Sequence, residues 1–173
     1  MRAVCAYPVR AQGRKHGLSL LLGLVLILPA AYASADDGWI ADKNGCKIAN
    51  PSPKPSETVT WSGACTDGFA QGQGVVQWYE DGRPGVTYEG AVVRGAASGQ
   101  GKLTMPDGVT YEGGWLDGKQ SGSGKYSAPG GARYEGEWED GAPNGRGIMH
   151  GGSGEVLDGI WKSGAYVGPA AQQ

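Results

Sequence analysis

Tyr111-Glu112-Gly113-Gly114-Trp115-Leu116-Asp117-Gly118 runs on to Gly122-Ser123-Gly124-Lys125-Tyr126 and then to the turn Pro129-Gly130-Gly131. The same order of residue types returns, at a step of 23 upstream, as Tyr88-Glu89-Gly90, with Gly95, Gly99 and Gly101. It returns at the same step downstream as Tyr134-Glu135-Gly136-Glu137-Trp138, with Gly141, Gly145 and Gly147. A further step of 23 gives Leu157-Asp158-Gly159-Ile160-Trp161, with Gly164 and Gly168. Towards the N-terminus the step is 27, to Trp61-Ser62-Gly63 with Gly68, Gly72 and Gly74. The four extra residues are expected in a turn around Gly82-Arg83-Pro84-Gly85. A fixed period marks a repeat architecture, in which each unit buries its apolar side against its neighbours. Glycine-rich composition alone would suit a flexible linker. A linker does not keep rings and glycines in one phase from Val59 to Gly168.

Within a copy, Tyr111, Gly113 and Trp115 alternate with Glu112 and Gly114, which puts rings on one face of a strand and polar groups on the other. A loop from Asp117 to Gly122, a second strand from the Gly-x-Gly, and a turn at Pro106-Asp107-Gly108 or Pro129-Gly130-Gly131 complete a β-hairpin. Glycine density penalises a helix anywhere in this stretch. The fold class expected is all-β: an elongated single-sheet meander of about five hairpins, roughly ten strands and about 45 Å at 4.8 Å per strand. The copies occupy residues 59–85, 86–108, 109–131, 132–154 and, truncated, 155–168, before a flexible C-terminus at 169–173. Residues 36–58 read as an N-terminal cap over the open sheet edge. Its Pro51, Pro53 and Pro55 favour an extended chain, and Cys46-Lys47-Ile48 is expected beside the first repeat strand.

The unit Tyr-Glu-Gly-x-Trp-x-x-Gly-x-x-x-Gly-x-Gly resembles the MORN repeat, in four full copies and a truncated fifth. The chain departs from that pattern at Val92, which stands for Trp, and at Leu157-Asp158, which stand for Tyr-Glu. Trp61-Ser62 opens the first copy, where Cys65 takes the second aromatic place. The resemblance brings self-association through the C-terminal repeats and phospholipid binding as family precedents.

The chain opens with Arg2, Arg10, Arg14 and Lys15 and no acid, then an apolar run from Leu18 to Ala31, then Ala33-Ser34-Ala35. Basic start, short apolar run and small-residue site describe a secretory signal peptide, residues 1–35, cleaved near Ala35. The run is short of the ~20 apolar residues that a membrane-spanning helix needs. Export to a periplasmic or extracellular space is the expectation. The chain beyond Ala35 holds 11 Lys+Arg against 17 Asp+Glu, a net charge of −6. That balance argues against nucleic acid and against anionic lipid, which both call for basic patches. Cys46 and Cys65 form an even pair beyond the leader, expected as a structural disulfide in an oxidising compartment. A zinc or redox pair is the alternative, poorly served by a single remaining His and by the lack of a Cys-x-x-Cys.

The candidate binding residues are the ring stripe Tyr88, Tyr111, Trp115, Tyr134, Trp138 and Trp161. Tyr and Trp give partners both area and a polar edge, although a stripe at the structural period also serves as packing. Glu89, Glu112, Glu135 and Asp158 form an acid ladder with Lys102 and Lys125 on the strands between, a solvated face rather than a catalytic pair. Repeated Gly-x-Gly elements without a following helix are not a dinucleotide loop. Gly151-Gly152-Ser153-Gly154-Glu155 resembles a calcium β-roll once only and reads as a turn. His150 has no nucleophile beside it in any recognisable motif. No enzyme, cofactor or metal site is expected. The function read from these residues is a protein-binding or self-associating scaffold, using the ring face or an exposed terminal strand such as Glu155 to Trp161. Cell-wall glycan binding is the alternative, and membrane association the weakest.

Overall fold

The computed structural model describes residues 38–170, and among them there is no helix. Thirteen strands follow one another. The first four are β1 (Trp39–Ala41), β2 (Lys47–Ala49), β3 (Glu57–Trp61) and β4 (Ala64–Thr66). The long pair is β5 (Phe69–Glu80) and β6 (Arg83–Val93). Three regular pairs follow: β7 (Ala96–Thr104) with β8 (Thr110–Leu116), β9 (Lys119–Ser127) with β10 (Arg133–Glu139), and β11 (Ala142–His150) with β12 (Val156–Lys162). Last comes β13 (Ala165–Gly168). From β5 to β13 each strand pairs antiparallel with the next, giving one open meander. Three strands more than the roughly ten expected have simple origins. The cap contributes β1 and β2, and Ser62-Gly63 breaks the first strand of the first copy into β3 and β4, both paired with β5. The leader expected over residues 1–35 lies outside the described residues.

Two local expectations are corrected. The turn inside each copy is tighter than a loop from Asp117 to Gly122, because β9 begins at Lys119 directly after Asp117 (φ 48°) and Gly118 (φ 81°). Positive φ at both central residues makes the two-residue turn whose twist matches the flanking strands, and Asp-Gly is a favoured pair for it. The four extra residues of the first step do not sit in a turn. They lengthen β5 and β6 to 12 and 11 residues, closed by Asp81-Gly82, with Pro84 paired to Tyr79 inside the ladder.

Copies are tied together at their turns. The amide of Gly95 donates to the carbonyl of Ala70 (2.9 Å), Gly118 to Ala97 (2.9 Å), Gly141 to Gln120 (3.0 Å) and Gly164 to Pro143 (2.9 Å). Each turn thereby clips onto the preceding copy, which satisfies backbone groups that would otherwise be stranded.

The segment expected as a cap docks on a different strand from the one expected. β2 runs parallel to β5 at Lys47 and Phe69, not beside β3 or β4. The Lys47 amide donates to the Gly68 carbonyl (2.9 Å) and that of Ala49 to Gly95 (2.8 Å). Cys46 and Cys65 are disulfide-bonded with Cα atoms 5.7 Å apart, so the cystine stands where later copies place Trp. The proline segment is bent rather than extended. Glu57 Oε2 accepts from the Asn50 side-chain amide (2.7 Å) and from the Lys54 backbone amide (3.3 Å), which folds it back on itself.

Candidate functional site

Rows of residues cross the strands, one per strand, and give the repeat its physical meaning. Trp61, Val76, Tyr88, Leu103, Tyr111, Tyr126, Tyr134, Met149 and Leu157 pair in succession on one face. Next to them run Gly74, Gly90, Gly101, Gly113, Gly124, Gly136, Gly147 and Gly159. The rings of Tyr88, Tyr111 and Tyr134 each lie over a glycine pair. A Cβ on Gly124 would stand 2.4 Å from the Tyr111 hydroxyl and 2.6 Å from ring carbons, closer than any real contact. The other glycine of each Gly-x-Gly has a separate job. Gly122, with φ 71°, takes a left-handed conformation in a β-bulge opposite Trp138.

The six rings proposed as a binding face are the core. Tyr134 is 0% exposed, Tyr88 and Tyr111 2%, Trp161 6%, Trp115 7% and Trp138 9%. They form an edge-to-face ladder, Tyr88–Trp115–Tyr111–Trp138–Tyr134–Trp161–Tyr166, with centroids 4.9–5.4 Å apart. Such pairs are favourable beyond the area that they bury. Each polar edge is also used up. Tyr88, Tyr111 and Tyr134 hydroxyls donate to the carbonyls of Ala91, Gly114 and Glu137, at 2.8, 2.9 and 3.1 Å. The indole N–H groups of Trp115, Trp138 and Trp161 donate to Gly101, Gly124 and Gly147 in the preceding copy, at 3.1, 3.2 and 3.0 Å. Burial pushes the phenols of Tyr88 and Tyr111 up to about 12. It raises Tyr134 as well, where the Glu137 carboxylate adds to the effect. A ring with both its faces and its polar edge engaged has little to offer a partner. Sequence reasoning missed the ring row's second-strand members, Val76, Leu103, Tyr126 and Met149, although they recur two residues after each Gly-x-Gly.

The opposite face is polar. Glu89, Lys102, Glu112, Lys125, Glu135, Ile148 and Asp158 pair in succession, so the acid ladder is interleaved with lysines. Lys125 and Glu135 close to 3.0 Å at about two-thirds exposure, which contributes little.

At the N-terminal end ring packing gives way to apolar space. A cavity of about 460 Å³ lies between the cap and the ring face, with Ile48, Trp78, Val86, Val92, Leu103 and Trp115 among its lining. Glu57 and Asp117 also line it. Among the described residues no cluster of three or more His, Cys, Asp or Glu could hold a metal ion. Gly151–Glu155 forms a turn, closed by the Gly151 amide on the Glu155 carbonyl at 2.8 Å. No helix of the described residues is long and apolar enough to cross a membrane.

No curated protein matches the chain. The family model for the MORN repeat matches residues 88–110, 111–133 and 134–156. The matched stretch starts at Tyr88, within β6, and leaves out the first copy with its cystine and nearly all of the truncated fifth copy. MORN repeats are generally non-catalytic modules for protein or membrane interaction. With rings and glycines in register across those three matches, residues 88–156 of the chain are three MORN repeats.

Proposed function

We propose that the chain is an exported, non-catalytic scaffold that binds a partner protein through the open end of its sheet. The observation that carries this reading is a periodic acceptor left over. Carbonyls of Ala70, Ala97, Gln120 and Pro143 each receive a turn amide from the following copy. The next carbonyl in that series, one period on from Pro143, belongs to Tyr166, with no further copy among the described residues to fill it. Tyr166 sits on β13, which pairs only with β12. Beside it Val167 is 65% exposed. An extended segment of another chain adds to such an edge through main-chain hydrogen bonds. The strand first considered for this role, Glu155 to Trp161, is covered by β13, so the role passes to β13. Pro169 follows it and limits pairing to a short segment. Glycan binding loses its main support, because the rings that would have carried it are buried.

Export rests on the basic start, the apolar run Leu18–Ala31 and Ala33-Ser34-Ala35, and the disulfide suits that address. Intact mass of the protein from its native envelope checks it: the chain should begin at Asp36, with no free thiol before reduction and two after. Crosslinking in that envelope checks the binding edge. Val167→Asp, which sets a carboxylate beside the open Tyr166 carbonyl, should lose the crosslinked partner while the circular dichroism spectrum is kept. Unchanged crosslinks in that variant would sink the reading.

A further inference from the structure

We infer, on the reading of β13 as the binding edge, that the partner there is a second copy of this chain. Its first repeat strand, β3 and β4, adds to β13 head to tail.

The chain makes the same junction repeatedly within itself. A turn amide of one copy reaches the carbonyl two residues past the turn glycine of the copy before: Gly95 to Ala70, Gly118 to Ala97, Gly141 to Gln120 and Gly164 to Pro143, all at 2.9–3.0 Å. That series has two loose ends. The first turn, Asp67 (φ 51°) and Gly68 (φ 77°), has the same left-handed pair, yet the Gly68 amide donates to no described residue. The Tyr166 carbonyl has no described turn amide to receive. One end of the sheet thus holds a spare donor and the other a spare acceptor, at the same place in the repeat. Like ends brought together would leave both unmatched.

The strands complement each other in the same sense. Gly99, Gly122 and Gly145 stand opposite Trp115, Trp138 and Trp161 where one copy meets the next. Gly168 continues the glycine series, and Cys65 holds the indole place in the first copy, so the register sets Gly168 opposite Cys65 of the second chain. β7, β9 and β11 are each followed by a paired strand, and β13 by none among the described residues. β3 and β4 together are a strand of that following kind, and in the sheet they pair only with β5. Ala64 to Gly68 are all exposed, so the N-terminal segment leaves that edge open. A foreign extended strand could extend the ladder, but it would bring no turn amide to Tyr166. Contact between unlike ends repeats instead of closing, which gives open rows of molecules rather than dimers. The short edge makes such rows weak and dependent on concentration.

A side chain at the junction supplies the test. Gln71 Oε1 accepts from the Arg94 amide (2.9 Å) and Asn144 Oδ1 from the Ser163 amide (3.2 Å), each residue standing three past its turn glycine. On β13 that place belongs to Val167, which would face Asp67 of the second chain. Sedimentation velocity on the processed full chain, over a concentration series, should give a mass that rises past that of a dimer. Val167→Asn, which adds the missing acceptor, should tighten association about two- to tenfold, as one net hydrogen bond does. Val167→Asp sets a carboxylate against Asp67 and should weaken it about tenfold or more at low ionic strength. Asp67→Arg added to Val167→Asp should restore it, and Arg94 at φ 46° shows that this turn position takes an arginine. Rescue of one end by a change at the other requires that the two ends meet. A photo-crosslinker at position 167 should attach to residues 64–68 of another molecule, which tests the same contact if the double variant does not fold. A mass that stays monomeric, a mass that stops at the dimer, a folded double variant without rescue, or crosslinks elsewhere than 64–68 would each overturn the inference. Should the partner crosslinked in the native envelope be a different protein, still lost in Val167→Asp, the inference falls and the β13 edge stands. Envelope crosslinks unchanged in Val167→Asp would sink both.

Discussion

The copies from Tyr111 to Trp161 and the end from Trp39 to Val92 are built of the same residue types and behave differently. In the regular copies every indole is wedged edge-on between two tyrosines and its N–H is claimed by a glycine carbonyl one copy back. At the N-terminal end a cystine and a valine stand in two indole places, and Trp78 lines a cavity instead of filling one. Trp61 keeps the structural part, its indole N–H donating to Ala64 at 2.7 Å as the tyrosine hydroxyls do in later copies. A residue that obeys the period is consumed by packing. A residue that breaks it is where surface and shape become particular to this chain.

That contrast can be broken by mutation, and the largest effect belongs to the regular copies. Tyr111→Ala or Trp138→Ala should cost about 3–5 kcal/mol, the usual range for emptying a buried aromatic site. Trp78→Ala at the cavity should cost far less; urea denaturation followed by circular dichroism measures all three. Equal losses would mean that the ladder is not the core. Next comes the N-terminal end. Removing the disulfide by Cys46→Ser with Cys65→Ser should cost about 3 kcal/mol on the chain-entropy account. It should also free the cap amides of Lys47 and Ala49 to exchange, while those of β8 to β11 stay protected.

Glycine substitutions sharpen the comparison further. Gly124→Ala, which drives a methyl into the Tyr111 ring, should cost about 1–3 kcal/mol as overpacking. Gly118→Ala meets nothing within 4 Å and should cost about 1–2 kcal/mol through its left-handed φ alone. Alkali gives a test without mutation. The phenols of Tyr88 and Tyr111 are held near 12, above the ordinary value of 10, so the folded state favours their protonated form. Their contribution to stability is fully present below pH 10 and is lost as pH rises towards 12. Thermal melts at stepped pH should therefore fall across that window in the regular copies. Smallest is Lys125→Ala on the polar face, worth under about 1 kcal/mol for an exposed pair.

Hairpin, period and sheet were legible from sequence because ring, acid and glycine recur together at one fixed step, from Tyr88 to Tyr111 to Tyr134. So was the cystine, as the even pair Cys46 and Cys65 beyond the leader expected over residues 1–35. The role of the rings was not. Alternation says which residues share a face, not whether that face is covered, and in a single-layer sheet the difference is made by how far each ring tilts onto its neighbour. The T-shaped stacking of Trp138 on Tyr111, with centroids 4.9 Å apart, covers it. The insertion was misplaced for a similar reason. Gly82-Arg83-Pro84-Gly85 has the composition of a turn, and cross-strand pairing with Tyr79 and Glu80 overrode it.

Exchange of the six tryptophan indole protons, followed by NMR in deuterated solvent, tests the central claim most directly. If the period exists to stack rings in a buried ladder, the protons of Trp61, Trp115, Trp138 and Trp161, all hydrogen-bonded to carbonyls, exchange slowly. Those of Trp39 and Trp78, which make no such bond among the described residues, exchange fast. Fast exchange at Trp115, Trp138 and Trp161 would show the rings open to solvent and contradict the account.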